Sequence, residues 1–143
     1  MKKFLLFLLS TLALYGDDIL IKESKHSVLQ TIENIKENVL SKDFSVFGII
    51  DHEANAKASG MEMQEAKVII FGNPKAGTKL MQEDVLTALD LPLRVLVYRD
   101  ASKNVQVAYR KVSELQKDFN LKDIKHLMAM DKGLEAIIIQ ATQ

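Results

Sequence analysis

This 143-residue chain has no cysteine and no tryptophan, and only two prolines and six glycines. Without cysteine there is no disulfide, no thiolate metal site, no cysteine nucleophile and no lipid anchor on an N-terminal cysteine. Lysine plus arginine equals aspartate plus glutamate, so no excess of positive charge marks a nucleic-acid surface. No repeat and no low-complexity stretch is present. After the N-terminus no apolar run approaches the roughly 20 residues that a membrane-spanning helix needs. HExxH, paired histidines at helical spacing, an acidic calcium loop and the G-x-S-x-G motif of serine hydrolases are all missing.

The N-terminus itself has a leader's pattern. A short basic start, Met1-Lys2-Lys3, precedes an apolar run from Phe4 to Leu14, with small residues offering cleavage after Ala13 or Gly16. We take 1–16 as an export signal and 17–143 as a single domain, expected in the bacterial periplasm or outside the cell, with no membrane association after cleavage.

Ile19 to Glu23 suggests a strand. Ser27-Val28-Leu29-Gln30 has the form of a capping box, and Val28, Leu29, Ile32, Ile35, Val39 and Leu40 continue it at helical spacing. Phe44 to Ile50 is apolar on both alternating faces, which predicts a strand covered on two sides or lying centrally. Asp51 to Ser59 reads as a short helix with Asp51 as N-cap and Gly60 closing its C-terminus. Ala66 to Phe71 is a strand stopped by Gly72-Asn73-Pro74. A helix follows over Thr78 to Leu89, with a break near Glu83. Leu93–Arg99 and Val105–Arg110 form a hairpin about Asp100–Asn104. A capping box at Ser113 opens a short helix, and Leu134, Ile137, Ile138 and Ala141 give a last amphipathic one. The pattern predicts an α+β fold: a single-layer mixed or antiparallel sheet of about five strands, helices packed on it, a β-hairpin toward the C-terminus, and a helical tail over 113–143.

Three separated blocks, FGIIDHEANAKASGMEM, VIIFGNPKAGTKLMQ and LDLPLRVLVY with VQVAYRK behind it, resemble the family called domain of unknown function 302. The resemblance covers about 19–113. Its pattern falls on Asp51 and His52, on Gly72, Asn73, Pro74, Gly77 and Thr78, on Leu91, Pro92, Leu93 and Arg94, and on Tyr109. It implies a compact α+β fold able to form a homodimer, and it implies no particular reaction.

The segment from Gly72 to Lys79 is close to a phosphate-binding P-loop, but Thr78 and Lys79 come in the wrong order. The lysine would point away from the phosphates, and Pro74 removes a backbone donor. A nucleotide site is not expected. The same residues can still hold a small anion at a helix start, using Lys75, Lys79, Asn73 and Thr78. The alternative is structural: Gly72 and Gly77 permitting unusual backbone angles, Asn73 closing a turn and Thr78 capping a helix.

His52 is the strongest candidate acid or base, and it follows a strand as Asn73 does, so both are expected at one rim of the sheet. Arg94 and Tyr109 complete the expected ligand-binding set of Gly72, Asn73, Lys75, Gly77 and Thr78. Soft thioethers suit copper(I), and Met61 with Met63, and Met128 with Met130 beside His126, are alternative ligands, though a core role is the favoured reading of both pairs. No metal site and no cofactor is favoured. The leading expectation is a non-enzymatic domain binding a small anionic molecule or a partner. An enzyme using His52 with an anion-holding glycine turn is the second reading, and a copper(I) accessory protein the third.

Overall fold

The computed structural model describes residues 18–143; the leader and its cleavage site lie outside the described residues. The first strand, β1 (Ile19–Ser24), leads into helix α1 (Val28–Leu40). Ser27 caps that helix, its hydroxyl accepting the Gln30 N–H at 3.1 Å. The reciprocal half of the capping box is missing, because the Gln30 side chain donates to Asn34 instead. Val28, Ile32, Ile35 and Val39 are fully buried, as their spacing requires, whereas Leu29 and Leu40 turn outward.

Strands β2 (Ser45–Asp51), β3 (Ala66–Gly72), β4 (Leu93–Arg99) and β5 (Val105–Arg110) complete a five-stranded sheet in the order β1-β5-β4-β3-β2. Every neighbouring pair is antiparallel. The β4–β5 hairpin turns at Asp100–Asn104, where the Asp100 carboxylate accepts the Asn104 N–H at 2.9 Å. Ile69, Phe71, Val95, Val97, Val107 and Tyr109 point to one face. That face is covered by α1 and by the C-terminal helix α4 (Ile124–Thr142), whose Leu127, Leu134, Ile137, Ile138 and Ala141 meet it. The two helices run antiparallel, tied by Asn34 donating to the Ala141 carbonyl at 3.1 Å.

Strand β2 corrects an expectation. It is an edge strand, and Phe47, Ile49 and Ile50 are 58%, 41% and 38% exposed. Its two-sided apolar pattern reflects a β-bulge between Val46 and Gly48 and an uncovered face, rather than a central position.

Helix α2 (His52–Ala58) starts on Asp51, whose carboxylate accepts the Ala54 N–H at 3.0 Å. The Lys67 ammonium and that N–H hold the Asp51 carboxyl below the usual carboxylate range. Gly60, at φ 73°, ends the helix with paired bonds from Gly60 N to Lys57 O and from Met61 N to Ala56 O.

Helix α3 (Pro74–Glu83) begins four residues before the expected Thr78. Asn73 is its cap, accepting the Ala76 N–H at 3.0 Å, and Pro74 takes the first helical position, where no N–H is needed. Gly77 and Thr78 therefore lie inside a helix, and neither Gly72 nor Gly77 takes a positive φ. The expected break near Glu83 is present, followed by a 3-10 turn over Val85–Leu89.

A second 3-10 turn, Val112–Lys117, replaces the helix expected at Ser113. Ser113 caps nothing; its N–H and hydroxyl both donate to Asp131 of α4. Beside it, burial pushes the Tyr109 phenol upward in pKa, with the Glu135 and Asp131 charges adding to the shift. The folded state thus keeps a proton that the unfolded chain releases near pH 10. Stability from this group is complete below about pH 10 and is lost as pH rises through the raised folded value. Tyr109→Phe is expected to move the onset of alkaline unfolding upward in a circular-dichroism pH titration; an unchanged alkaline limb would contradict it.

Candidate functional site

Antiparallel pairing decides which candidate residues meet. Asp51, at the end of β2, pairs with Lys67 at the start of β3, while Gly72 pairs with Ser45. His52 and Asn73 therefore follow their strands at opposite ends of the sheet. Five residue steps separate the two registers, about 17 Å at ~3.4 Å per residue. The expected common rim does not exist. His52 is exposed, and it lines none of the three cavities described below. The enzyme reading that coupled His52 to the glycine turn loses its geometry.

The methionine set also divides. Met61 and Met63 lie in the segment between α2 and β3, not on a strand, and are exposed at the His52 end. His126, Met128 and Met130 sit near the start of α4, at the Asn73 end. Met128 is exposed and Met130 turns inward, as residues two apart on a helix must. Among the described residues no group of three or more histidine, aspartate or glutamate side chains is placed to hold a metal.

What does converge is the start of α3 with the first half of α4. A groove of about 340 Å³ runs between them. On α3 its wall is Lys75, Ala76 and Lys79, with Lys75 and Lys79 one turn apart on the same face. On α4 it is His126, Ala129, Met130, Gly133 and Ile137, a single stripe at helical spacing. Ala129 and Gly133 have almost no side chain, so that wall recedes. A Cβ built on Gly133 would meet nothing within 4 Å. The floor is Phe44, Phe71 and Leu93. On the far side of α3, an adjoining cavity of about 280 Å³ is lined by Phe47, Thr78, Met81, Leu91 and Pro92, and it shares Phe44, Asn73, Leu93 and Met130 with the first.

The polar groups here are unsatisfied in one direction. Lys75 and Lys79 make no ion pair among the described residues, and the first turn of α3 carries no acidic side chain. Lys75, in the first turn of α3, stands where the helix dipole is already positive. His126 Nε2 is shut off from solvent and has no hydrogen-bond partner. Leaving such a group buried and unpaired costs about 1–3 kcal/mol. Asn73, by contrast, is used structurally: its oxygen caps α3 and its amide donates to the Asp43 carbonyl at 3.5 Å.

Arg94 and Tyr109 line a different cavity, of about 510 Å³, together with Val68, Leu96, Ala108 and Arg110. The expected ligand-binding set is thus divided among three cavities: Arg94 and Tyr109 line this one, Asn73 and Lys75 the groove, and Gly72, Asn73, Gly77 and Thr78 the cavity adjoining the groove. Sequence reading passed over Ala129 and Gly133. Their only signal is two small residues four apart on an otherwise large-residue helix.

"Fluoride-specific ion channel FluC 1" of Brucella suis biovar 1 (strain 1330) is 45% identical over 83 residues, which is 58% of this chain and 33% of that one. "Fluoride-specific ion channel FluC 2" of Brucella melitensis biotype 1 is 45% identical over 83 residues, 58% of this chain and 31% of that protein. The chain thus spans about a third of the length of the relatives it matches. A crystal structure of an uncharacterized conserved protein DUF302 from Bacillus stearothermophilus superposes with a TM-score of 0.80 at 16% identity, covering 88% of this chain and 99% of that one. At that identity the likeness speaks for the fold. The family model described as "Domain of unknown function DUF302" matches residues 20–141, through the helical tail as well as the sheet, and the chain belongs to that family.

Proposed function

We propose that this domain binds a small amphipathic carboxylate without transforming it, in the groove between α3 and α4. The observation that carries the reading is the groove's composition: two lysines and a solvent-shielded imidazole nitrogen, none with a partner among the described residues, stand over an apolar floor. An anionic head between Lys75 and Lys79 neutralises charge at a helix N-terminus, and its oxygen gives His126 Nε2 a partner. A short aliphatic body fits against Phe44, Phe71 and Met130. The volume lies at the small end of the ~300–1,000 Å³ range of ligand pockets.

The relatives bearing a channel name share only this segment with the chain. No helix among the described residues is long and apolar enough to cross a membrane. The match covers 83 residues, fewer than the span from Phe44 to Ile137 that lines the groove, so the reading is made for this chain alone.

Octanoate is a suitable probe. At tenfold its Kd it should stabilise the fold by about 1.4 kcal/mol, on the order of 5 °C in Tm. Lys75→Ala/Lys79→Ala should lose most of that shift. Gly133→Leu should fill the groove and abolish the shift while keeping or raising basal Tm, because glycine inside a helix costs about 1 kcal/mol. A Gly133→Leu protein that responds to octanoate like the parent would refute the site.

A further inference from the structure

The cavity beyond α3 is distinguished by what it lacks. Among the described residues no charged side chain lines its volume of about 280 Å³, and its polar side chains are Asn73 and Thr78. Asn73 is already committed to capping α3. The walls include Phe47, Met81, Leu91 and Pro92, and Phe47 is 58% exposed. Gly72 and Gly77 line it too. Neither takes a positive φ, so the backbone does not call for glycine at either position. Their missing side chains leave room instead. A Cβ on Gly77 would meet a Leu91 methyl at 3.9 Å, and one on Gly72 would reach Pro92 and Phe47 at 3.5 and 3.7 Å. The glycine spacing that imitates a phosphate loop thus borders an apolar space.

We propose that this cavity is the tail chamber of the groove between α3 and α4, and that the two together hold an unbranched fatty acid longer than octanoate. The inference rests on the carboxylate reading of the groove and names its ligand class. Phe44, Asn73, Leu93 and Met130 border both spaces, so one layer of side chains divides them. Phe44, Leu93 and Met130 are only partly buried. Met130 is unbranched with three rotatable bonds, so its thioether can swing aside without moving the backbone. The polarity runs one way. Lys75 and Lys79 stand on the groove side of α3, whereas Gly77 and Met81 stand on the chamber side. A carboxylate held by the lysines directs its chain past the start of α3 into the uncharged space.

Size points to the same ligand. Octanoate is the probe for the groove of about 340 Å³, and the chamber adds a space of comparable volume. Joined, they lie well inside the ~300–1,000 Å³ range of ligand pockets rather than at its lower end. Each methylene that leaves water for the chamber raises affinity by up to about fourfold.

Calorimetric titration with octanoate and with dodecanoate tests this through the ratio of the two affinities within one protein. The parent should bind dodecanoate at least about 20-fold more tightly than octanoate. Gly77→Leu places a side chain in the chamber rather than the groove and should cut that ratio below about threefold. Leucine is a better helix former than glycine, so the fold should hold. Thr78→Leu, on the same wall, is a second variant expected to act in the same direction. Lys75→Ala/Lys79→Ala should weaken both acids and keep the parental ratio. Amide shifts of Gly77, Thr78 and Met81 should respond to dodecanoate and not to octanoate. A parental ratio near one, or the full ratio kept in both leucine variants, would overturn the chamber while octanoate still marks the groove. No octanoate binding by the parent would overturn the groove reading itself, and this inference with it.

Discussion

Phe71→Ala is expected to cost about 4 kcal/mol and to lower Tm by roughly 15–20 °C. Phe71 is fully buried near the end of β3 and meets Phe44 edge-to-face, with ring centroids 5.9 Å apart and planes at 67°. Removing the ring forfeits its transfer free energy and the aromatic contact, and leaves a hole. The hole does not close, because β3 is held by ladders on both sides and α1 and α4 cover the face. Phe71 is also part of the groove floor, so the variant should enlarge the cavity between α3 and α4. A urea melt checks the figure. A loss under about 1.5 kcal/mol would mean that this face is not the rigid centre described here.

Asp131→Ala is expected to cost about 3 kcal/mol, more than most half-buried polar changes. Its carboxylate accepts the Val112 N–H at 2.5 Å, the Ser113 N–H at 3.1 Å and the Ser113 hydroxyl. These bonds pin the 3-10 turn after β5 onto α4. Bonds to a charged acceptor contribute about 1.5–3 kcal/mol each when made singly, and three on one carboxylate are not additive. Asp131→Asn keeps an acceptor and should cost about half as much. Loss of the charge should also lower the Tyr109 pKa, since Asp131 is one of the groups raising it. Equilibrium unfolding and a Tyr109 titration read both effects. Near-parental stability in Asp131→Ala would remove the carboxylate from its anchoring role.

Helix α1, the hairpin and α4 were legible because each depends on a pattern within one segment: a 3.6-residue apolar period, a polar turn between two β-branched runs, or Leu134, Ile137, Ile138 and Ala141 on one stripe. The exposed edge position of β2 was not legible. Apolar residues on both faces of Phe44–Ile50 look the same whether a strand is covered twice or bulged at an open edge.

The separation of His52 from Asn73 was hidden for a related reason. Strand, helix, strand reads easily as a parallel crossover, which would put both turns at one rim. Helix α2 has only seven residues, about 10 Å, too short to return along a seven-residue strand. Local chemistry named Lys75 and His126, but that they line one groove with Ala129 and Gly133 follows from where the tertiary fold places α3 and α4.

The groove between α3 and α4 is the proposed binding site. Amide chemical-shift mapping during an octanoate titration tests it most directly. Perturbations should gather on Lys75, Ala76, Lys79, His126, Ala129 and Gly133, saturating by about 10 mM for a Kd near or below ~1 mM. Shifts centred on His52 and α2, or none across that range, would contradict it.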